Sequence, residues 1–366
     1  MKTKRNGRAF PLDVLVFDMD GVLIDVSKSY RKTIEKTVHL YLTACLGFKQ
    51  GKRELALDEA ISLFKAAGGF NNDWDLTSGL LFYLLSVSGL RTSSKRKEFS
   101  SIPEVVAHLR GESSGHSCKI PVSIDLQGLS SFLKRVRGAG GGLQGVRQAL
   151  QGSWEGWVYG SGDLSRQNLV KRIFQEVYLG EMFSPCYPLD PLFHQGRGYY
   201  LRERMIIPRH LLRTLWKSLH LAIASGRPRF EAELALDRFR LFPYFESIVT
   251  LDECLEEERR LSRSTGRHLK RTKPHPFPLI KAIEGIGLTR PRCGYVGDVV
   301  DDMVAARRAG RRFQVIAMGF LTAPDRDKTE ETNLRDAGAD YIVKDPNELL
   351  RFGMPSRNYS HPDRLP

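Results

Sequence analysis

Residues 12–22 read Leu12-Asp13-Val14-Leu15-Val16-Phe17-Asp18-Met19-Asp20-Gly21-Val22, an apolar run that ends in two carboxylates one residue apart. An uninterrupted apolar run with β-branched residues predicts a strand that is buried on both faces, as in a parallel sheet. Alternate residues of an extended chain point the same way, so we expect Asp18 and Asp20 to face one ligand at the end of this strand. Carboxylates so close together repel each other unless a cation lies between them, and Gly21 permits a sharp turn. The stretch therefore indicates a metal and phosphoryl site.

Strands and helices alternate from Leu219 onward, which predicts an α/β fold with a parallel sheet and helices on both faces. The predicted strands of this region are Leu221–Ser225, Ile248–Thr250, Cys293–Gly297 and Phe313–Met318.

The region after Asp20 changes to helical spacing. Apolar residues at Tyr30, Ile34, Val38 and Leu42 recur every four positions, which predicts a helix. Further along, residues 92–152 are rich in Ser, Gly and basic residues, and the glycines of 138–145 have no stable period. These features predict a mobile basic insertion with some helix near Leu129–Val136 and no core of its own.

The chain of 366 residues has a formal net charge of +14 and a pI near 9.6, which favours anionic partners. A solvated basic surface explains this charge equally well. Nucleic acid is the less favoured partner, because no basic motif interleaved with aromatic residues is present. The five cysteines are widely separated, which argues against disulfides and zinc and fits a reducing cytosol. No signal peptide or bilayer-spanning segment is expected, so the sequence predicts a cytoplasmic protein without a membrane partner.

Three later sites fall where such a sheet would present them. Ser225 ends a predicted strand, Lys273 precedes a predicted helix, and Asp298 and Asp302 lie where a strand turns into a helix. Each lies at or near the carboxyl edge of the predicted sheet, the same edge as Asp18.

The four elements, in this order, resemble the motifs of the haloacid dehalogenase (HAD) superfamily, subfamily IA, and within it the phosphoglycolate phosphatase-like proteins. Residues Asp18–Val22 match the first motif, Ser225 the second and Lys273 the third, while Asp298 with Asp302 matches the fourth. The resemblance extends loosely over residues 12–90 and 154–350, and it does not account for the insertion of residues 92–152. It implies a HAD-like Rossmannoid parallel-sheet core with an inserted helical cap domain.

The resemblance also implies the roles of these residues. Asp18 is the expected nucleophile, which forms an aspartyl-phosphate, and Asp20 is the expected general acid and base. Lys273 and Ser225 would hold the transferring phosphoryl oxygens, together with Gly226 and Arg227 of the second motif.

The expected cofactor is Mg²⁺, a cation that prefers oxygen ligands. Its ligands would be Asp18, Asp298 and the backbone carbonyl of Asp20, with Asp302 supporting them from the next turn of the helix. The fourth motif departs from the family pattern at Val299, where a small polar residue is usual, which affects the turn but removes no ligand.

These inferences predict a phosphoric monoester hydrolase that acts on a small phosphorylated metabolite. A phosphosugar mutase of the same superfamily, or a HAD-fold protein that binds nucleic acid through its basic surface, remains the alternative. The expected domains are a core of residues 1–24 and 209–354, a helical cap of 25–208 that contains the insertion, and a flexible tail of 355–366. The sequence gives no indication of the oligomeric state.

Overall fold

The computed structural model of the protein describes residues 11–49, 55–70, 72–116, 119–120, 123–267, 269–322 and 328–353. The predicted tail, 355–366, lies outside the described residues. The chain divides into two compact units. The first, here called the core unit, contains the residues up to Asp25 and those from Arg204 onward; the second, here called the helical unit, is Val26–Glu203.

The strands of the described residues all belong to the core unit. They are β1 (Val14–Phe17), β2 (Ile24–Asp25), β3 (Arg204–Met205), β4 (His220–Ala224), β5 (Ser247–Val249), β6 (Arg292–Gly297), β7 (Gln314–Phe320) and β8 (Tyr341–Val343). Six of them form one sheet in the order β5-β4-β1-β6-β7-β8, and every neighbouring pair is parallel. Strands β2 and β3 form a separate antiparallel pair. The predicted α/β fold with a parallel sheet is confirmed.

Strand β1 lies inside this sheet, between β4 and β6, and all four of its residues are buried. Phe17 is level with Ile223 of β4 and Val296 of β6. Because the three strands are parallel, the residues that follow them emerge at the same edge. This register brings the segments after residues 17, 224 and 297 side by side.

The described residues of the helical unit form the first eight helices. They are α1 (Tyr30–Leu40), α2 (Asp58–Ala67), α3 (Asp73–Ser86), α4 (Ile102–Ser113), α5 (Leu126–Gly138), α6 (Gly142–Ala149), α7 (Leu169–Leu179) and α8 (Phe183–Cys186). A π-helical turn, Tyr41–Cys45, continues α1. The apolar stripe predicted from Tyr30 to Leu42 is buried along this stretch.

The expected insertion without a core is not what the structure contains. One helix is predicted within residues 92–152, and the described part of this range contains three, α4 to α6. Leu129, Phe132 and Val136 bury one side of α5, which packs against α2 and α6. Two glycines of the run have a packing reason, because an added Cβ would lie 2.3 Å from the carbonyl oxygen of Gly69 at Gly142 and 2.6 Å from that of Val136 at Gly145. Close approach of two backbones, which only glycine allows, explains these two positions of a run that resembles a flexible segment.

The core unit contains the remaining helices. They are α9 (Arg209–Trp216), α10 (Arg229–Arg238), α11 (Leu251–Thr265), α12 (Phe277–Glu284), α13 (Val300–Ala309) and α14 (Lys328–Asp336). Helices α12 and α13 bury Leu279, Ile283 and Met303 against Val14 and Val16 of β1. The described residues contain no helix that is both long and apolar enough to cross a membrane.

Candidate active site

The predicted site residues follow neighbouring strands of the core unit. Asp18 follows β1, Ser225 follows β4, and Asp298 follows β6. The backbone N–H of Asp18 donates to the carbonyl of Val296, and that of Ser225 donates to the carbonyl of Val249. The hydrogen-bond ladders of the sheet therefore extend into the site and fix the backbone that carries its side chains.

Lys273 joins two of the carboxylates. Its Nζ lies 2.8 Å from Asp18 Oδ1 and 2.8 Å from Asp302 Oδ1. Burial raises the pKa of the Asp18 carboxyl, and the facing Lys273 charge opposes that shift because it favours the carboxylate. Burial alone would lower the pKa of Lys273, but the facing carboxylates of Asp18 and Asp302 dominate and hold it well above its usual value. The ammonium group is therefore charged and held between two acidic groups.

Asp302 organises the turn at the end of β6. Its side chain is fully buried, and Oδ1 accepts hydrogen bonds from Lys273 Nζ and from the hydroxyl of Tyr295, each at 2.8 Å. The other oxygen, Oδ2, accepts from the backbone N–H groups of Asp298 and Val299, at 3.1 Å and 3.3 Å. Asp302 thus holds the backbone of Asp298 in place, and Val299 contributes to this turn through its backbone.

Tyr295 is a site residue that the sequence analysis did not identify. It lies on β6, it is fully buried, and its ring centroid is 5.6 Å from Lys273 Nζ. Burial raises the pKa of its phenol well above the usual value, so the hydroxyl stays protonated and donates to Asp302. A tyrosine inside an apolar strand is the signal that could have found it, because a buried phenol requires a hydrogen-bond partner.

Gly21 makes room for the fourth motif. Its φ is +75°, and a Cβ placed on it would lie 2.1 Å from Oδ2 of Asp298. The carboxylate of Asp298 therefore lies directly against the backbone of the first motif. No larger residue fits here without moving Asp298.

The second motif contacts the first through Arg227. Its Nε lies 2.6 Å, and its Nη2 2.5 Å, from Oδ1 of Asp20. Arg227 was expected beside the substrate phosphate; the structure brings its guanidinium to Asp20. Its backbone N–H donates to Ser225 Oγ at 3.1 Å, which ties the two residues of the second motif together.

Three carboxylates of this site could hold a metal ion. One oxygen from each of Asp18, Asp298 and Asp302 lies within 4.8 Å of the other two. The set consists of hard oxygen donors, and the single ammonium of Lys273 does not balance three acidic groups. A divalent cation that prefers oxygen ligands fits this donor set.

Parts of the chain are similar to known proteins. Residues 262–316 match the family model of haloacid dehalogenase-like hydrolases. The chain is 23% identical over 316 residues to an imidazoleglycerol-phosphate dehydratase of Phytophthora nicotianae, an alignment that covers 86% of this chain and 44% of that protein. It is 40% identical over 86 residues to a phosphoglycolate phosphatase of Xylella fastidiosa, which covers 24% of this chain and 34% of that protein. The chain thus spans less than half the length of either relative.

The fold is shared with solved structures. A target of the Northeast Structural Genomics Consortium superposes with a TM-score of 0.58 at 19% identity, over 92% of this chain and 97% of that one. The chain therefore resembles the haloacid dehalogenase-like hydrolases: their family model matches residues 262–316, and the core unit has a six-stranded parallel sheet with the four motifs in order along the chain.

Proposed function

We propose that the protein is a Mg²⁺-dependent phosphomonoester hydrolase that works through an aspartyl-phosphate on Asp18. The observation that carries the proposal is the bridge of Lys273 Nζ between Asp18 and Asp302, 2.8 Å from each. A carboxylate paired with a buried cation at a strand end can attack phosphorus while the cation neutralises charge on the phosphoryl oxygens.

The proposed reaction has two displacements. In the first, a carboxylate oxygen of Asp18 attacks the phosphorus, and the bond to the leaving alcohol breaks as Asp20 gives that alcohol a proton. In the second, water attacks the phosphorus, Asp20 takes a proton from the water, and the Asp18 carboxylate is released with inorganic phosphate. Dividing one difficult hydrolysis into two steps is the purpose of the covalent intermediate.

Two groups are proposed to hold the phosphoryl oxygens. Lys273 supplies a fixed positive charge, because its pKa stays well above the usual value between Asp18 and Asp302. Ser225 follows β4, the neighbour of β1, and is 1% exposed. Gly226 and the backbone around it would leave space for the phosphate.

Mg²⁺ is the proposed cofactor, because the donor set consists of hard oxygens that surround a small space. Asp18 and Asp298 would hold it, together with the backbone carbonyl of Asp20. Asp302 would keep Asp298 in place through the hydrogen bonds of its Oδ2. The ion, when bound, would supply positive charge to the phosphoryl oxygens.

We further propose that the helical unit acts as the cap that selects the substrate, and that the substrate is a small phosphorylated metabolite. The phosphoglycolate phosphatase of Xylella fastidiosa and the N-acetylmuramic acid 6-phosphate phosphatase of Pseudomonas aeruginosa support this class. Phosphoglycolate is the first compound to test.

The test is a panel of phosphorylated metabolites, with Mg²⁺ present or removed by a chelator and then restored. We expect release of inorganic phosphate that stops on chelation and returns with Mg²⁺. Conversion of a hexose phosphate to its isomer without phosphate release would indicate a mutase instead. Salt-sensitive retention of DNA or RNA with no turnover of any phosphate ester would favour the nucleic-acid alternative.

A further inference from the structure

Arg227 is among the largest fully buried side chains of the core unit, with 1% of its surface exposed. Burying a guanidinium is costly unless its charge is paired and its N–H groups are hydrogen-bonded. Asp20, whose side chain is 31% exposed, provides such a partner at 2.6 Å from Nε and 2.5 Å from Nη2. The pair therefore consists of a cation inside the protein and a carboxylate at its edge.

Arg227 contacts only one of the two carboxylate oxygens of Asp20 in these ion-pair contacts. Both N–H groups reach Oδ1, which leaves Oδ2 on the other side of the carboxylate. The arginine itself is fixed at its backbone, because its N–H donates to Ser225 Oγ and its carbonyl accepts from the N–H of Leu251. A rigid donor that holds one oxygen determines where the other oxygen points.

We propose that Arg227 is a positioning residue for Asp20 and not a ligand of the substrate phosphate. This inference rests on the proposed function. Arg227 fixes Oδ1, and Oδ2 exchanges the proton with the leaving alcohol and then with water. When the bond between phosphorus and the leaving oxygen breaks, its electron pair goes to that oxygen, which takes the proton from Oδ2. In the second displacement a proton of the attacking water returns to Oδ2.

The two roles considered for Arg227, phosphate ligand and positioning residue, predict different kinetic effects of its loss. A phosphate ligand would affect the binding of every phosphate compound, including inorganic phosphate. A positioning residue would affect proton transfer, so its loss would slow substrates with poor leaving groups more than substrates with good ones. A misplacement of a reacting group by about 1 Å costs on the order of 100-fold in rate.

The experiment compares Arg227→Lys and Arg227→Met with the wild-type protein on 4-nitrophenyl phosphate and benzyl phosphate. The 4-nitrophenolate of the first substrate departs without a proton. The benzyl alcohol of the second substrate must receive a proton as it departs. We expect kcat on benzyl phosphate to fall by roughly 100-fold in Arg227→Met and kcat on 4-nitrophenyl phosphate by less than about 10-fold. The inhibition constant of inorganic phosphate should stay within about twofold, and Arg227→Lys should restore part of the lost rate.

Arg172→Met is the matched control. Arg172 is 3% exposed and pairs with the buried Glu176 of the helical unit, with its Nε 2.5 Å from Oε1. Its loss also removes a buried guanidinium, so it should lower stability, but the ratio of the two substrate rates should not change. A change in that ratio equal to the change in Arg227→Met would mean that the effect comes from lost stability alone.

A double-mutant cycle with Asp20→Asn completes the test. If Arg227 acts through Asp20, Arg227→Lys should change kcat by less than about twofold in the Asp20→Asn background. Full additivity of the two losses, or a tenfold weaker inhibition by inorganic phosphate in either arginine variant, would overturn the inference while leaving the hydrolase function intact. Absence of turnover by the wild-type protein on every phosphate ester would instead overturn the proposed function.

Discussion

The carboxylate of Asp298 lies against the backbone of Gly21, so closely that a Cβ on the glycine would be 2.1 Å from Oδ2. The two residues are 277 positions apart in the sequence, and the parallel pairing of β1 with β6 brings them together. The first and fourth motifs therefore form one surface, on which Gly21 sets how close the two acidic segments can approach.

Gly21→Ala should reduce hydrolysis and metal binding together. The methyl group would displace Asp298, and a φ of +75° adds strain of about 1 kcal/mol for a residue with a side chain. We expect a loss of activity of at least about 10-fold and weaker Mg²⁺ binding in calorimetry, because one carboxylate ligand has moved.

Gly287→Ala is the matched control, since Gly287 has a φ of +79° and nothing within 4 Å of an added Cβ. It carries the same strain without the clash. Equal activity losses in the two variants would show that backbone strain, and not the displaced Asp298, is responsible.

Tyr295→Phe removes the hydroxyl that donates to Asp302. The loss of one buried hydrogen bond should lower the free energy of unfolding by about 1 kcal/mol, and Asp302, whose Oδ1 would keep only Lys273 as a partner, should be held less firmly, which should reduce activity by about 10-fold. Tyr41→Phe is the control, because Tyr41 is also fully buried and donates to the carbonyl of Trp157 in the helical unit. Chemical unfolding would measure the stability of the two variants, and steady-state kinetics would measure their activity. An equal loss of activity in Tyr41→Phe would argue against a role for Tyr295 in the site.

The ion pair of Asp13 and Arg292 should make stability depend on pH. Arg292 donates to Asp13 from its backbone N–H, Nε and Nη2 at 2.8, 3.1 and 3.0 Å, and these hydrogen bonds lower the pKa of Asp13 below 3.8. The folded state therefore favours the ionised carboxyl. The stabilisation, about 1 kcal/mol, is complete above the pKa of the unfolded chain near 4 and disappears as the pH falls through the lower pKa of the folded state.

Urea unfolding of the wild-type protein and Asp13→Asn across pH 2–7 would measure this effect. We expect the variant to be less stable at neutral pH and the difference to shrink below about pH 4. A difference that stays constant down to pH 2 would contradict the assigned role of this pair.

Helix α5 should contribute to the stability of the helical unit. Leu129→Ala deletes a fully buried side chain and should cost about 2–5 kcal/mol, whereas Leu126→Ala, on the same helix and 36% exposed, should cost less than about 1 kcal/mol. Thermal unfolding of both variants compares them directly. Similar small costs at the two positions would support the prediction from composition, an insertion without a core.

Much of the core unit could be predicted because its signals are local. Strand β1 is an apolar run, and parallel strands place their carboxyl ends at one edge, so the grouping of Asp18, Ser225 and Asp298 follows from their positions after strands. Helix α11 was missed because only Leu251 and Cys254 of its 15 residues are buried, which leaves little hydrophobic period to detect.

Other features depend on contacts between distant segments. The close approach of Gly69 and Gly142 and the pairing of Arg227 with Asp20 join residues far apart in sequence, and tertiary packing decides both. Composition made residues 92–152 resemble a flexible segment, because glycine occurs both in mobile chains and where two backbones touch. A single sequence does not distinguish these two uses.

The central claim is that Asp18 carries the phosphoryl group, and trapping that intermediate tests it most directly. The protein would be mixed with substrate and Mg²⁺, quenched in acid and treated with borohydride, which reduces an aspartyl-phosphate to homoserine. Peptide mass spectrometry would then locate the reduced residue. Asp18→Asn serves as the control, since it keeps the shape of the side chain and removes the attacking charge.

We predict substrate-dependent reduction at residue 18 in the wild-type protein, and neither reduction nor turnover in folded Asp18→Asn. Reduction at a different residue, or near wild-type turnover by the folded Asp18→Asn protein, would contradict the proposed mechanism.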